Sequence, residues 1–188
     1  MLTNPRADRV RSVAALSRRS ARERSGLFVG EGPQTVREAV RFRPEGIRDL
    51  YVTAVAAARH TEIVAAARAA GVPVTECTPE VLAAMSDTEA PQGLLAVCRV
   101  LTTPLAAVLA GQPRLLLVLA HVRDPGNAGT VLRGADAVGA DAVVVSAASV
   151  DVFGPKVVRS SAGSLFHLPV VTGLPVAAGP CRLGVAAN

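Results

Sequence analysis

Aromatic side chains are scarce in this chain: 188 residues hold no tryptophan, one tyrosine and four phenylalanines. So few flat rings argue against base stacking as a main binding mode. No apolar run approaches the ~20 residues of a membrane-spanning helix. The N-terminus carries arginines with no apolar segment behind them, so it does not read as a secretory signal. Cysteine is limited to Cys77, Cys98 and Cys181, scattered and without C-x-x-C spacing. That usage fits free thiols in a reducing, cytoplasmic protein, and no His/Cys cluster suggests a metal. Lysine is nearly missing too: Lys156 is the only one.

What is present is a chain half hydrophobic, rich in Ala, Val and Leu, and long enough for one ordinary domain or two small ones. The formal net charge is +5, and residues 1–24 account for all of it, with seven arginines against Asp8 and Glu23. A helix from about Pro5 to Arg24 would bury Val10, Val13, Ala14 and Leu16 and line up Arg11, Arg18 and Arg22 on one side. Such a face suits a phosphate backbone, because each contact releases counterions.

Residues 25–100 read as a small α/β unit. Leu27-Phe28-Val29 predicts a strand, and in the Gly30-Glu31-Gly32-Pro33 turn Pro33 is placed to start a helix. Leu50-Tyr51-Val52 predicts a second strand, Ile63 to Ala70 a helix ended by Gly71, and Val72-Pro73-Val74 an edge strand. Thr78-Pro79-Glu80 opens a further helix to about Met85, and Leu94 to Cys98 forms the last strand. Glu31, the one acid in a Gly-flanked turn, reads as a turn-stabilising carboxylate. Residues 101–113, bounded by Pro104, Gly111 and Pro113, predict a connector with a short apolar helical turn.

The segment from Leu115 to Ser146 organises the remainder. Leu115 to Ala120 predicts a strand buried on both faces, and Asp124 to Gly129 a tight polar turn. A helix follows with Val131, Leu132, Ala135 and Val138 on one side, and Ala142 to Val145 predicts the next strand. This is a βαβ unit, and ligands of open α/β sheets bind beyond the carboxyl ends of the strands, where the 124–129 turn falls. Gly126 and Gly129 permit close backbone approach, and Asn127 or Thr130 offers a helix cap. Arg133 lies about 200° around the helix from Val131, off the core stripe. Asp151 to Ser164 begins as a turn and continues as a helix start, and Leu168 to Val171 predicts a third strand. The turn has no G-x-G-x-x-G, so a Rossmann-like nucleotide-binding enzyme is the weaker reading.

Asn127, Gly129 and Arg133, spaced N-x-G-x-x-x-R within RDPGNAGTVLRGADAVGADAVVVS, resemble the first motif of the SpoU (TrmH-like) RNA ribose 2′-O-methyltransferases of the SPOUT superfamily. GLFVGEGPQTVREA and MSDTEAPQGLLAV are similar to the segments that open and close the substrate-binding domain common beside SpoU domains. The resemblance spans residues 9–100 and 114–172. It implies an α/β protein: a basic N-terminal helix and L30e-like RNA substrate-binding domain over 1–100, a linker over 101–113, and a SPOUT methyltransferase domain, trefoil-knotted and Rossmann-like, over 114–188. The activity implied is methyl transfer from S-adenosyl-L-methionine to a ribose 2′-hydroxyl of structured rRNA or tRNA, by an enzyme that dimerises through a complete methyltransferase domain. Arg133 matches the catalytic position, Asn127 the residue that orders the site, and Gly129 the glycine that permits close approach. KVVRSSAGSLFHLPV corresponds to the RNA-facing side, which implies RNA contacts from Lys156, Arg159, Ser160 and Ser161 beside those of the N-terminal arginines.

The family carries two further motifs downstream, one Gly-Glu-Gly-like and one containing Ser-Leu-Asn, which form most of the donor pocket. Neither is found in GLPVAAGPCRLGVAAN. The resemblance therefore implies a C-terminally incomplete methyltransferase domain whose cofactor-binding residues are unassigned. The alternative is a non-catalytic RNA-binding remnant or fragment without a donor pocket.

Overall fold

Two sheets share one apolar core. The computed structural model describes residues 1–175, so the 173–188 tail of the sequence reading and Cys181 lie almost wholly outside the described residues. The N-terminal basic segment is broken into α1 (Asp8–Ala14), a 3-10 turn (Ala15–Ser17) and α2 (Arg19–Ser25). This corrects the expected continuous helix. The Arg22 guanidinium donates to the carbonyls of Leu16 and Ser17 at 2.7 and 2.9 Å, taking acceptors that an unbroken helix would use internally. Arg18 is accordingly extended, so Arg11, Arg18 and Arg22 do not share one helical face.

The accessory unit follows as β1 (Leu27–Glu31), α3 (Pro33–Phe42), β2 (Ile47–Val52), α4 (Ala54–Arg59), α5 (Thr61–Ala69), β3 (Val74–Glu76), α6 (Pro79–Met85) and β4 (Leu94–Arg99). Its sheet runs β1-β4-β2-β3, with β4 antiparallel to both neighbours and β3 parallel to β2 at the edge. Strand alternation splits the side chains between two faces. Val29, Tyr51, Leu95 and Val97 meet Val10, Val13 and Leu16 on one face, joined by Val81, Leu82 and Met85 of α6. Phe28, Leu50, Val52, Leu94, Ala96 and Cys98 line the other face. Ile47 joins that second face despite its odd spacing from Leu50, because a register shift between Ile47 and Asp49 resets the alternation.

After the connector helix α7 (Leu105–Ala110) come β5 (Leu116–Leu119), α8 (Pro125–Ala137), β6 (Ala142–Ser146), α9 (Pro155–Ser160) and β7 (Val170–Leu174). The strands form an all-parallel sheet in the order β5-β6-β7. Only β6 is buried throughout. β5 is expected to be buried on both faces, yet Val118 is 52% exposed and Leu115 also faces solvent, while Leu117 and Leu119 pack into the core, so only one face of the strand is well covered. Val138, expected on the core stripe of α8, is 64% exposed because the helix ends one residue before it.

The scarce phenylalanines are concentrated where the two sheets meet. Phe28 of β1 lies with its ring centroid 5.1 Å from that of Phe153 and 6.0 Å from that of Phe166, just before and after α9. These rings belong to one cluster that also holds Val36 of α3 with Leu50 and Ala96 of the first sheet, and Leu132 of α8 and Val158 of α9 with Val143 of the second. Offset aromatic contacts of this kind add about 0.5–1.5 kcal/mol beyond area burial. Gly163 completes the junction: its φ is +102°, and a Cβ there would come within 2.7 Å of the Glu38 side chain on α3. No helix among the described residues is long and apolar enough to cross a membrane.

Candidate functional site

The carboxyl ends of β5, β6 and β7 gather the polar features of the second sheet. There Ser149 Oγ donates to the Leu119 carbonyl and accepts the Val122 N–H, while Ser146 Oγ accepts the His121 N–H. The two hydroxyls are also bonded to each other at 2.9 Å. This buried knot of bonds fixes the path of the chain from β5 into α8.

Helix α8 starts earlier than the sequence reading placed it. Asp124 is the N-cap, with Oδ1 accepting the Asn127 N–H at 2.7 Å, and Pro125 occupies the first helical position. The expected 124–129 turn is therefore the first helical turn, and neither Asn127 nor Thr130 serves as the cap. Gly126 and Asn127 are exposed at this N-terminus, and Gly129 is buried. Gly129 is required by close helix packing: a Cβ there would overlap the Ser160 side chain and lie 2.7 Å from the Ser160 carbonyl carbon. Ser160 Oγ also donates to the Pro125 carbonyl at 3.1 Å. Helices α8 and α9 thus lie against each other with almost no gap.

Arg133 lies exposed on α8, about 9 Å along the helix axis from Asn127 at 1.5 Å per residue. Neither its guanidinium nor the Asn127 amide is engaged in a hydrogen bond or ion pair with another described residue. Across the helix contact, Lys156 and Arg159 of α9 are exposed, and Arg159 faces Asp87 at 3.7 Å. The site therefore brings Asn127, Arg133, Lys156 and Arg159 onto two adjoining helices.

Three expected RNA contacts are corrected. Ser161 is fully buried, and its hydroxyl donates to the Val158 carbonyl, so it cannot face a phosphate. Arg22 is 5% exposed and donates to Asp151 through Nε at 2.9 Å and Nη2 at 2.6 Å. Its charge and its donors are consumed inside the protein. Ser160 is half-buried with its hydroxyl spent on Pro125, which gives it a packing role. Much of the remaining N-terminal charge is also paired: Arg11 with Asp8, Arg19 with Glu23, and Arg9 with Asp49. Arg18 stays exposed without such a partner among the described residues.

A cavity of about 250 Å³ opens at the carboxyl ends of β6 and β7, bordered by Ser146, Ala147, Thr172 and Gly173 and walled by Arg19 and Arg22. It is smaller than the ~300–1,000 Å³ of sites for drug-sized ligands. Its strongest charges, Arg22 and Asp151, are spent on each other. The described residues alone do not make an enclosure fit for a nucleoside sulfonium. No group of three or more His, Cys, Asp or Glu among them could hold a metal.

Sequence reasoning also passed over His167. Its Nδ1 lies 2.8 Å from Asp136 on α8 and its Nε2 lies 3.1 Å from Glu38 on α3, so it ties the two units together. Its partners are 31 and 129 positions away, which leaves no local signal. Glu31 departs from the turn-stabilising role expected of it: it ends β1, and its Oε1 accepts the Asp87 N–H at 2.8 Å, so it holds the distant 86–92 loop and not its own turn. Burial pushes the Glu31 carboxyl up, opposed by the backbone N–H groups of Asp87 and Thr88 and by Arg159.

Comparison with known proteins matches residues 7–96 to the MRM3-like substrate binding domain and residues 114–177 to the SpoU rRNA Methylase family. The chain is 32% identical to the 23S rRNA (guanosine(2553)-2'-O)-methyltransferase RlmP of Bacillus subtilis, over 87% of this chain and 61% of that protein. Among solved structures, the AdoMet-bound rRNA methyltransferase from Sinorhizobium meliloti superposes with a TM-score of 0.76 at 26% identity, covering 92% of this chain and 64% of that one. The SpoU methyltransferase AviRb from Streptomyces viridochromogenes, in complex with AdoMet, gives 0.72 at 30% identity, covering 91% and 64%. The chain thus spans less than two thirds of the length of these relatives. Their likeness confirms the α/β SPOUT methyltransferase fold expected from the motif. The two matches fall in the expected order along the chain, an MRM3-like substrate binding domain followed by a segment of the SpoU rRNA Methylase family.

Proposed function

We propose that the chain acts in S-adenosylmethionine-dependent methylation of a ribose 2′-hydroxyl in structured RNA, rRNA being the substrate class named for its relatives. The observation that supports this reading is the seating of Gly129 on Ser160, which packs α8, the helix of Asn127 and Arg133, against α9, the helix of Lys156 and Arg159. Residues 1–100 serve as the substrate-binding unit, 101–113 as the connector, and 114 onward as the methylase unit. Cytoplasmic placement is supported by Cys77 and Cys98, both buried free thiols. Dimerisation through the methylase unit is supported by the exposed apolar Leu115 and Val118 along edge strand β5.

S-adenosylmethionine, bound in the two solved relatives, supplies the methyl group. No described residue is assigned to hold it. The acceptor is a ribose hydroxyl, a poor nucleophile until its developing negative charge is stabilised. Arg133 is the catalytic residue in this reading. A guanidinium stays charged, so it does not serve as a base, but it binds the neighbouring phosphate and stabilises the emerging alkoxide. Asn127 orders the same region through its amide. Arg18, Lys156 and Arg159 contact the RNA backbone, joined by Arg11 when it leaves Asp8.

The test is methylation of rRNA fragments by this chain and its Arg133→Ala variant, with RNA affinity measured beside turnover. Turnover should fall by about 10²–10³ while affinity changes little. Loss of affinity with unchanged turnover per bound complex would reverse the assignment. Calorimetric titration with S-adenosylmethionine separates the second reading: RNA binding by a folded chain that takes no donor identifies a non-catalytic RNA-binding protein.

A further inference from the structure

A second cavity, of about 260 Å³, lies between the accessory unit and α9 and shares only Arg159 with the residues assigned above. One wall is the turn from β1 into α3 together with the 86–92 loop, and the other is Arg159 with Ala162. Leu94 and Pro91 give it apolar surface and Gln92 lines it with an amide, while the Gln34 amide, also in the lining, donates to Glu38 and accepts from Arg37. Glu31 roots the loop through the Asp87 N–H, while its other oxygen, Oε2, is shut from water without a hydrogen-bond partner. Arg159 reaches back to Asp87 at 3.7 Å, and both side chains keep substantial exposure. A pair so long and so wet contributes little and is readily exchanged for a better anion.

We propose that this cavity receives the base of one unpaired nucleotide of the RNA, with its edge read by Gln92 and its phosphate taken by Arg159 in place of Asp87. The inference rests on the RNA reading above. An apolar surface with a few convergent polar groups is the usual build of a small-ligand site. RNA sequence is read mostly on unpaired bases splayed out of loops and bulges, and a base alone needs less room than a whole nucleoside sulfonium. A side-chain amide offers a donor and an acceptor in one plane, the complement of a base edge. A guanidinium matches phosphate better than it matches a single distant carboxylate. Because the walls come from separate units, a nucleotide seated here reports the RNA sequence to the helix that packs on Gly129. Glu31 is a positioning residue that holds the loop over the cavity.

The test is photocrosslinking of the full chain to short RNA stem-loops carrying 4-thiouridine at successive loop positions, with adducts mapped by mass spectrometry. Adducts within residues 86–92 are expected from one loop position. Arg159→Ala should cut their yield at least about tenfold, the effect of losing one charge-assisted contact. Arg114→Ala, an exposed cation at the opposite end of β5, should leave the yield unchanged. Adducts confined to residues 1–24, with RNA affinity intact, would overturn the cavity proposal and leave the RNA reading standing. Absence of both affinity and adducts would overturn the RNA reading itself.

Discussion

Arg22 and Asp151, 129 positions apart in the chain, meet at 2.6 Å in a pair that is buried on the arginine side. The same guanidinium holds the two carbonyls that break the N-terminal helix. One side chain therefore shapes the basic segment and fastens it to the methylase unit. Arg22→Ala should cost about 3 kcal/mol, the low end for breaking a buried pair because Asp151 keeps some solvent. In a chain this long that lowers the melting temperature by about 6–12 °C. Arg22→Lys should recover only part, since one ammonium cannot reach Asp151, Leu16 and Ser17 in the same fork. A thermal shift of the alanine variant within a degree or two would show the pair to be idle.

Gly129 and Gly134 sit on the same helix in opposite surroundings. A Cβ at Gly134 meets nothing within 4 Å, whereas at Gly129 it strikes Ser160. Gly134→Ala should therefore stabilise by up to about 1 kcal/mol through helix propensity. Gly129→Ala gains the same propensity but forces α8 and α9 apart, at a cost of about 1–3 kcal/mol or more, so the net effect is destabilising. Urea unfolding of the two variants checks the contrast, and equal effects would refute the close packing.

The Glu31 carboxyl is raised above its ordinary 4.5, chiefly by burial. The folded state then holds this proton more tightly than the unfolded state does. Its contribution to stability is greatest at low pH and declines as pH rises from the unfolded value through the folded one. Glu31→Gln keeps an acceptor for Asp87 but removes the titration. The melting temperature of the variant relative to the parent should climb as pH rises above the ordinary 4.5. Parallel curves there would contradict the assignment.

Burial pushes the Cys98 thiol up to about 12 and the Cys77 thiol to about 11. At pH 8 the reactive thiolate is then a fraction of about 10⁻³ or less at each. Iodoacetamide should leave both unmodified in the native protein and label both after unfolding, as read by peptide mass mapping. Rapid native labelling of Cys98 would mean that its strand opens far more readily than the core packing allows.

The strands of the accessory unit, and its helices apart from α4, were legible to within a few residues, because β1, β2 and β4 are short apolar runs bounded by turn residues. The motif on α8 was legible as well, and it led to the family that the comparisons bear out. The start of α8 was readable in principle, since Asp124-Pro125 is a cap followed by a first-turn proline. The glycines drew attention to a turn instead. What local pattern could not carry was long-range pairing. The break at Arg18 depends on where the Arg22 side chain goes, and the half-exposed β5 depends on what covers each of its faces. The loss of Arg22 and Ser161 as RNA contacts follows from burial alone.

Lys156, the only lysine, projects from exposed α9 one turn ahead of Arg159. Apart from the α-amino group, amine-selective reagents have a single address on this chain. A dye, a biotin or a crosslinker applied under mild conditions will settle beside the helix pair assigned here to the RNA. Tethering from that one amine turns an accident of composition into a ruler for how substrate approaches, with no mutation needed to install it.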